Sequence, residues 1–149
     1  EGLISSYFLG WQELIKDMPQ RANGAIIADR EGMTTEYALF QLQDRGKLFL
    51  GAGHKVYKGM IVGENLPDND LPVIHVRTKH LTNIRSQGDG KGIMLKAPLQ
   101  LSLERALEYI APDEYVEATP STLRLRKKIL DEHARKKAEK ALAAQTAGV

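Results

Sequence analysis

Cysteine is absent from all 149 residues. That removes disulfides, zinc ribbons and thiol catalysis together, and it fits a reducing compartment. No apolar run approaches the roughly 20 residues that a membrane-spanning helix needs, and no leader pattern opens the chain. Because it starts at Glu1 rather than Met, the chain is expected to be a fragment, a processed product or an engineered piece of something longer. Aromatic residues make up 6% of the sequence. None lies in either basic segment described below, which argues against base stacking in the manner of an RRM.

Catalytic signatures are missing as well. Gly51, Gly53 and Lys55 superficially suggest a phosphate loop, but Val56 follows the lysine and the spacing is wrong. Gly88, Gly90, Lys91 and Gly92 fail because Ile93 stands where a magnesium ligand belongs. Turns explain both stretches better. None of His54, His75, His80 and His133 forms a metal-binding pair at helical or hairpin spacing. His75 sits among apolar residues and reads as structural. No nucleophile elbow is found. The residues give no positive case for an enzyme in this chain.

What is present is an ordinary core composition, 42% hydrophobic and 27% charged, with an uneven charge distribution. The net charge of +2 hides two positive blocks. Residues 77–96 hold Arg77, Lys79, Arg85, Lys91 and Lys96 against Asp89 alone, and residues 120–149 hold eight basic against three acidic residues. Such asymmetry suggests a polyanionic partner. The alternative is a solvated surface ending in a helical tail.

Local patterns predict short strands over 25–28, 34–40, 47–50, 60–62, 73–76, 93–95, 115–118 and 122–126. Residues 1–12 read as a strand needing a partner sheet, and 29–32 as a link closing a hairpin onto the next strand. Residues 67–70 and 119–121 are turns. Ser102 looks like an N-cap for a helix with Leu103, Ala106, Leu107 and Ile110 on one face, stopped by Pro112. Asp131 caps a basic final helix of about three turns. In the last strand, Leu123 and Leu125 should face inward and Arg124 and Arg126 outward. The expected fold class is α+β, with a mainly antiparallel β body, barrel closure left open, one short helix and a basic C-terminal helix.

Two segments are candidate RNA-binding sites. One is a long polar loop with Lys79, His80, Asn83, Arg85, Ser86 and Lys91. Its cations suit phosphates, and its amide and hydroxyl suit sugar and base edges. The other holds Arg124, Arg126, Lys127, Lys128, Arg135 and Lys136, a good phosphate binder through counterion release. The competing readings are an incidentally charged surface loop and a solubilising helix.

Several ordered blocks resemble the TypA/BipA translational GTPases. They include Ala38-Leu39-Phe40, LQDRGKLF at 42–49, VYKGMIVG at 56–63, Asn69-Asp70-Leu71 and KHLTNIR at 79–85 with Gly88. Further along come Leu103-Glu104, Ala106-Leu107-Glu108, Asp113-Glu114, Val116-Glu117, Thr119-Pro120 and RLRK at 124–127. They cover roughly residues 21–137. The sequence departs from the family pattern at Leu66-Pro67-Asp68, where a basic residue is usual, and at 89–92, where the family is acidic.

The resemblance implies a C-terminal domain over 20–142. Residues 1–19 would be a remnant of a preceding elongation-factor-G-like domain with its linker, and 143–149 a flexible tail. It implies a non-catalytic module of a cytoplasmic translation factor with a role in stress response. Its partners would be the bacterial 70S ribosome, 23S rRNA and A-site tRNA, with no membrane and no small-molecule substrate. GTP and Mg would belong to a domain outside this chain, leaving no cofactor here. The rival is a protein–protein interaction module with a solubilising basic helix.

Overall fold

The computed structural model describes residues 4–11, 21–77 and 94–146. In chain order the elements are strands β1 (Ala25–Ala28) and β2 (Gly32–Met33), helix α1 (Glu36–Leu42), and strands β3 (Gly46–Leu48), β4 (Lys55–Val56), β5 (Met60–Asn65) and β6 (Leu71–Val73). Helix α2 (Leu103–Tyr109), strands β7 (Glu114–Ala118) and β8 (Leu123–Lys127), and helix α3 (Glu132–Thr146) follow.

The two central strands are the two most apolar. β1 is buried at every position, as a strand covered on both faces must be. β5 pairs antiparallel with β1 on one edge, while β8 and β3 share its other edge. β6 adds to β1 in parallel and β7 closes the far side against β8. Alternation then sorts the core. Ile26, Ala28, Met60 and Val62 pack on one face, with Leu42 of α1 against them. Ala25, Ile27, Ile61 and Leu125 pack on the other, together with Ala106 and Tyr109 of α2. The result is an α+β body with a mostly antiparallel sheet that is not closed into a barrel.

Several expectations are corrected. Residues 36–42 are helical, not extended. Thr35 Oγ1 accepts from the Ala38 amide at 3.3 Å, and Ala38 and Leu39 are the helix's buried residues. The strand preference of Tyr37 and Phe40 yields here to the Thr35 N-cap and to burial of Ala38 and Leu39 on one helical face. β1 does not form a hairpin with β2, which instead pairs with β4 in a separate ribbon. Residues 74–76 and 94–95 are not strand, and residues 4–11 form no strand among the described residues. Ser102 does cap α2, but only Ala106 of its predicted apolar face is fully buried, while Leu103 and Leu107 are exposed. The Gly51–Gly53 stretch is a turn, with the Gly53 amide donating to Thr34 O at 2.9 Å.

Candidate nucleic-acid interface

The β7–β8 hairpin turns at Thr119, whose amide donates to Thr122 O at 2.9 Å. Its register sets Glu114 opposite Lys127, Tyr115 opposite Arg126, and Glu117 opposite Arg124. Period-two alternation therefore gives the hairpin two chemical faces. Leu125 and Lys127 point into the body with Glu114, while Tyr115, Arg124 and Arg126 lie on the opposite side.

The inward face holds an ionic cluster. Arg21 clamps Glu114 through two bonds of 2.9 and 2.8 Å. Lys127 Nζ lies 2.9 Å from Glu114, 2.8 Å from Asp113 and 2.6 Å from Asp70. Asp70 also accepts the Ala25 amide at 2.9 Å, and the Ala111 amide donates to Glu114 at 3.0 Å. Burial by itself would lower the Lys127 pKa. Its hydrogen bonds to Asp113, Asp70 and Glu114 outweigh that and raise it. Of the six basic residues that the sequence places in this segment, Lys127 is thus an internal tie and not a surface cation. Continuing the Leu123, Leu125 alternation by one step already puts it inside.

The other five are on or near the surface. Arg126 is paired with Glu117 at 2.5 Å, and Lys136 with Glu132 at 2.6 Å. Arg135 donates to the Ile129 and Leu130 carbonyls at 3.0 and 2.9 Å, which fastens the start of α3 to the chain before it. Asp131 caps that helix, accepting the Ala134 amide at 3.0 Å, and is ion-paired with Lys58. Among the described residues, Arg124, Lys128 and Arg135 have no carboxylate partner. Arg124 and Lys128 thus make no ion pair there, while Arg135 still acts electrostatically on Glu132; the exposed Lys137 and Lys140 follow on α3. An open groove of about 970 Å³ runs alongside; Tyr115, Lys128, Arg135 and Lys136 line it, but acidic side chains, among them Asp68, Glu108, Asp113, Glu132 and Glu139, outnumber the basic ones there. The predicted loop residues Lys79, His80, Asn83, Arg85, Ser86 and Lys91 lie outside the described residues.

Tyr115 is the residue that reading the basic segments alone overlooks. It is separated from them in sequence by the hairpin turn, yet its ring sits 5.1 Å from the Arg126 guanidinium and 5.0 Å from the Lys128 ammonium.

Residues 23–132 match the family model of the TypA/BipA C-terminal domain. The chain belongs to that family. Relatives are named large ribosomal subunit assembly factor BipA. The protein from Salmonella typhimurium is 44% identical over 140 residues, 93% of this chain and 23% of its own length. That of Buchnera aphidicola is 46% identical over 140 residues, again 93% and 23%, and that of Synechocystis is 46% identical over 127 residues, 85% and 21%. The chain therefore spans about a quarter of the length of these relatives.

Proposed function

We propose that this chain is a non-catalytic ribosome-binding module of a TypA/BipA-type translational GTPase. Residues 20–142 form the module, 1–19 belong with a preceding domain, and 143–149 are a tail. It holds its parent on the large ribosomal subunit in the cytoplasm by contacting 23S rRNA and A-site tRNA. GTP hydrolysis and Mg binding reside outside it. The observation that carries this reading is that Arg124, Lys128 and Arg135 make no ion pair among the described residues, in a family whose named members are large-subunit assembly factors. Unpaired cations on a surface neutralise phosphates by releasing counterions. The polar loop with Lys79, His80, Asn83, Arg85, Ser86 and Lys91 supplies further contacts in this proposal.

The test is co-sedimentation with bacterial 50S and 70S particles across a salt series. Saturable binding that weakens steeply with salt supports the reading. Replacing Arg124, Lys128 and Arg135 together by Ala should flatten the salt slope by about 2–3 in log–log terms. Replacing Lys79 and Arg85 should weaken binding without changing thermal unfolding. One observation favours the protein-docking alternative: Ile4, Tyr7, Phe8, Leu9 and Trp11 are all exposed, a density of apolar side chains that marks interaction surfaces. Binding that is insensitive to salt would select that alternative.

A further inference from the structure

We infer that Tyr115 is a stacking platform for one unpaired RNA base, with Arg124 and Lys128 receiving the adjoining phosphates. This inference rests on the RNA-binding reading above and names the kind of RNA that the hairpin takes. Tyr115 lies on the outward side of β7 and is 47% exposed. A tyrosine at such a position usually gains cover from a cross-strand neighbour. Here its neighbours are two cations, Arg126 opposite it and Lys128 one step along, both within 5.1 Å of the ring.

The three components of a nucleotide-sized site are thereby side by side. Arg126 and Lys128 lie over the ring, and the part of Tyr115 that stays exposed is what a base, which stacks regardless of sequence, can reach. Lys128 has no carboxylate partner among the described residues, so its charge is available to a phosphate without breaking an ion pair. Arg124, two residues before Arg126 on the same side, is likewise without an ion pair among them. Glu117, the carboxylate across the hairpin from Arg124, is already engaged by Arg126 at 2.5 Å and by the Tyr57 hydroxyl at 2.5 Å. Its charge is thereby muted toward an incoming anion.

Charge complementarity fixes the occupant. A neutral apolar partner would have to desolvate Lys128 and Arg124 without compensation, whereas a nucleotide brings both a stacking surface and the anion. A paired base in a helix would leave the ring unused, because duplex RNA is read by shape and backbone. An unpaired base is the form that reaches the ring.

Fluorescence anisotropy of the whole chain with two labelled oligomers of equal phosphate number provides the test. One is a single-stranded oligouridylate and the other an abasic chain of the same backbone. The base-bearing oligomer should bind about tenfold tighter, the usual range for one stacked base. Tyr115→Leu, which keeps an apolar side chain in place, should bring it down to the abasic level, while Tyr115→Phe should retain the advantage. Equal affinity of the unaltered chain for both oligomers, or an undiminished advantage in Tyr115→Leu, overturns the stacking role and leaves phosphate binding standing. Absence of salt-sensitive binding to either oligomer overturns the hairpin as an RNA site, and ribosome co-sedimentation decides the broader reading separately.

Discussion

Glu114 and Lys127 face each other across the β7–β8 pairing with oxygen and nitrogen 2.9 Å apart, both at 2% exposure. Buried charges are tolerated only when their partners are complete. Completeness here needs Arg21 before β1, Asp70 before β6, and Asp113 before β7. The cluster thus ties the hairpin to the opposite edge of the sheet. Lys127→Ala should lower unfolding free energy by about 3 kcal/mol, because it removes the cation shared by Asp70, Asp113 and Glu114 and leaves Glu114 to Arg21. Lys128→Ala, on the surface next door, should stay within about 0.5 kcal/mol. Urea midpoints measure both, and equal midpoints would show that the cluster contributes no net stability.

Gly59 joins this region to α3. Its φ is +84°, and an added Cβ would stand 2.8 Å from Leu130 Cα. Its amide donates to Ala28 O, and its carbonyl accepts from Lys127, each at 2.9 Å. Gly59→Ala therefore meets both a left-handed backbone and a clash, and should cost about 2 kcal/mol or more. A thermal melt unchanged by the substitution would contradict this geometry.

His75 is fully buried, and neither ring nitrogen has a partner among the described residues. Burial lowers its pKa; Asp29 and the nearby Val73 backbone pull the other way, and Arg30 adds to the decrease. A histidine whose folded pKa is lowered is protonated more readily when unfolded. Its contribution to stability is thus present above the unfolded value of about 6.5 and is lost as pH falls below it. Stability should decline between neutral pH and pH about 5, and His75→Leu should flatten that decline. A decline of equal slope in the variant would assign the acid sensitivity elsewhere.

Asp131 is held at a pKa of about 2, first by its bond to Lys58 and then by the Ala134 amide. A lowered carboxyl pKa stabilises above the unfolded value of about 3.9 and loses that effect as pH falls toward about 2. At neutral pH, Asp131→Ala removes both contacts and should reduce helical circular dichroism, because the following helix has little buried surface to hold it. Asp131→Asn should retain the cap and most of the signal. Equal signals from the two variants would mean that α3 is stabilised by other contacts.

Much of the architecture was legible because it is local. The strand at 25–28 has the bounds expected of it, and the caps at Ser102 and Asp131 appear as their hydroxyl and carboxylate predict. The alternation in β8 is clear from Arg124 onward, with Leu125 buried between two half-buried arginines, and so also places Lys127 inside. Residues 34–40 are ambiguous in sequence because an aromatic-rich stretch satisfies strand preference and helix capping alike. The sequence contains nothing that decides between them until Ala38 and Leu39 have a core to enter. The fate of β2 was similarly hidden, since its partner β4 is more than twenty residues away.

For the candidate site, sequence by itself determined where the positive charge is concentrated, which elements carry it, and the family to which those motifs point. Charge and period-two alternation are properties of neighbouring residues. Only the tertiary structure decided which cations are available. It buried Lys127 among three carboxylates, paired Arg126 and Lys136, and left Arg124, Lys128 and Arg135 without an ion pair among the described residues. It also brought Tyr115 to the two cations across the hairpin. Burial and ion pairing depend on groups far apart in the chain, such as Arg21 and Glu114, and these meet only when the sheet is assembled.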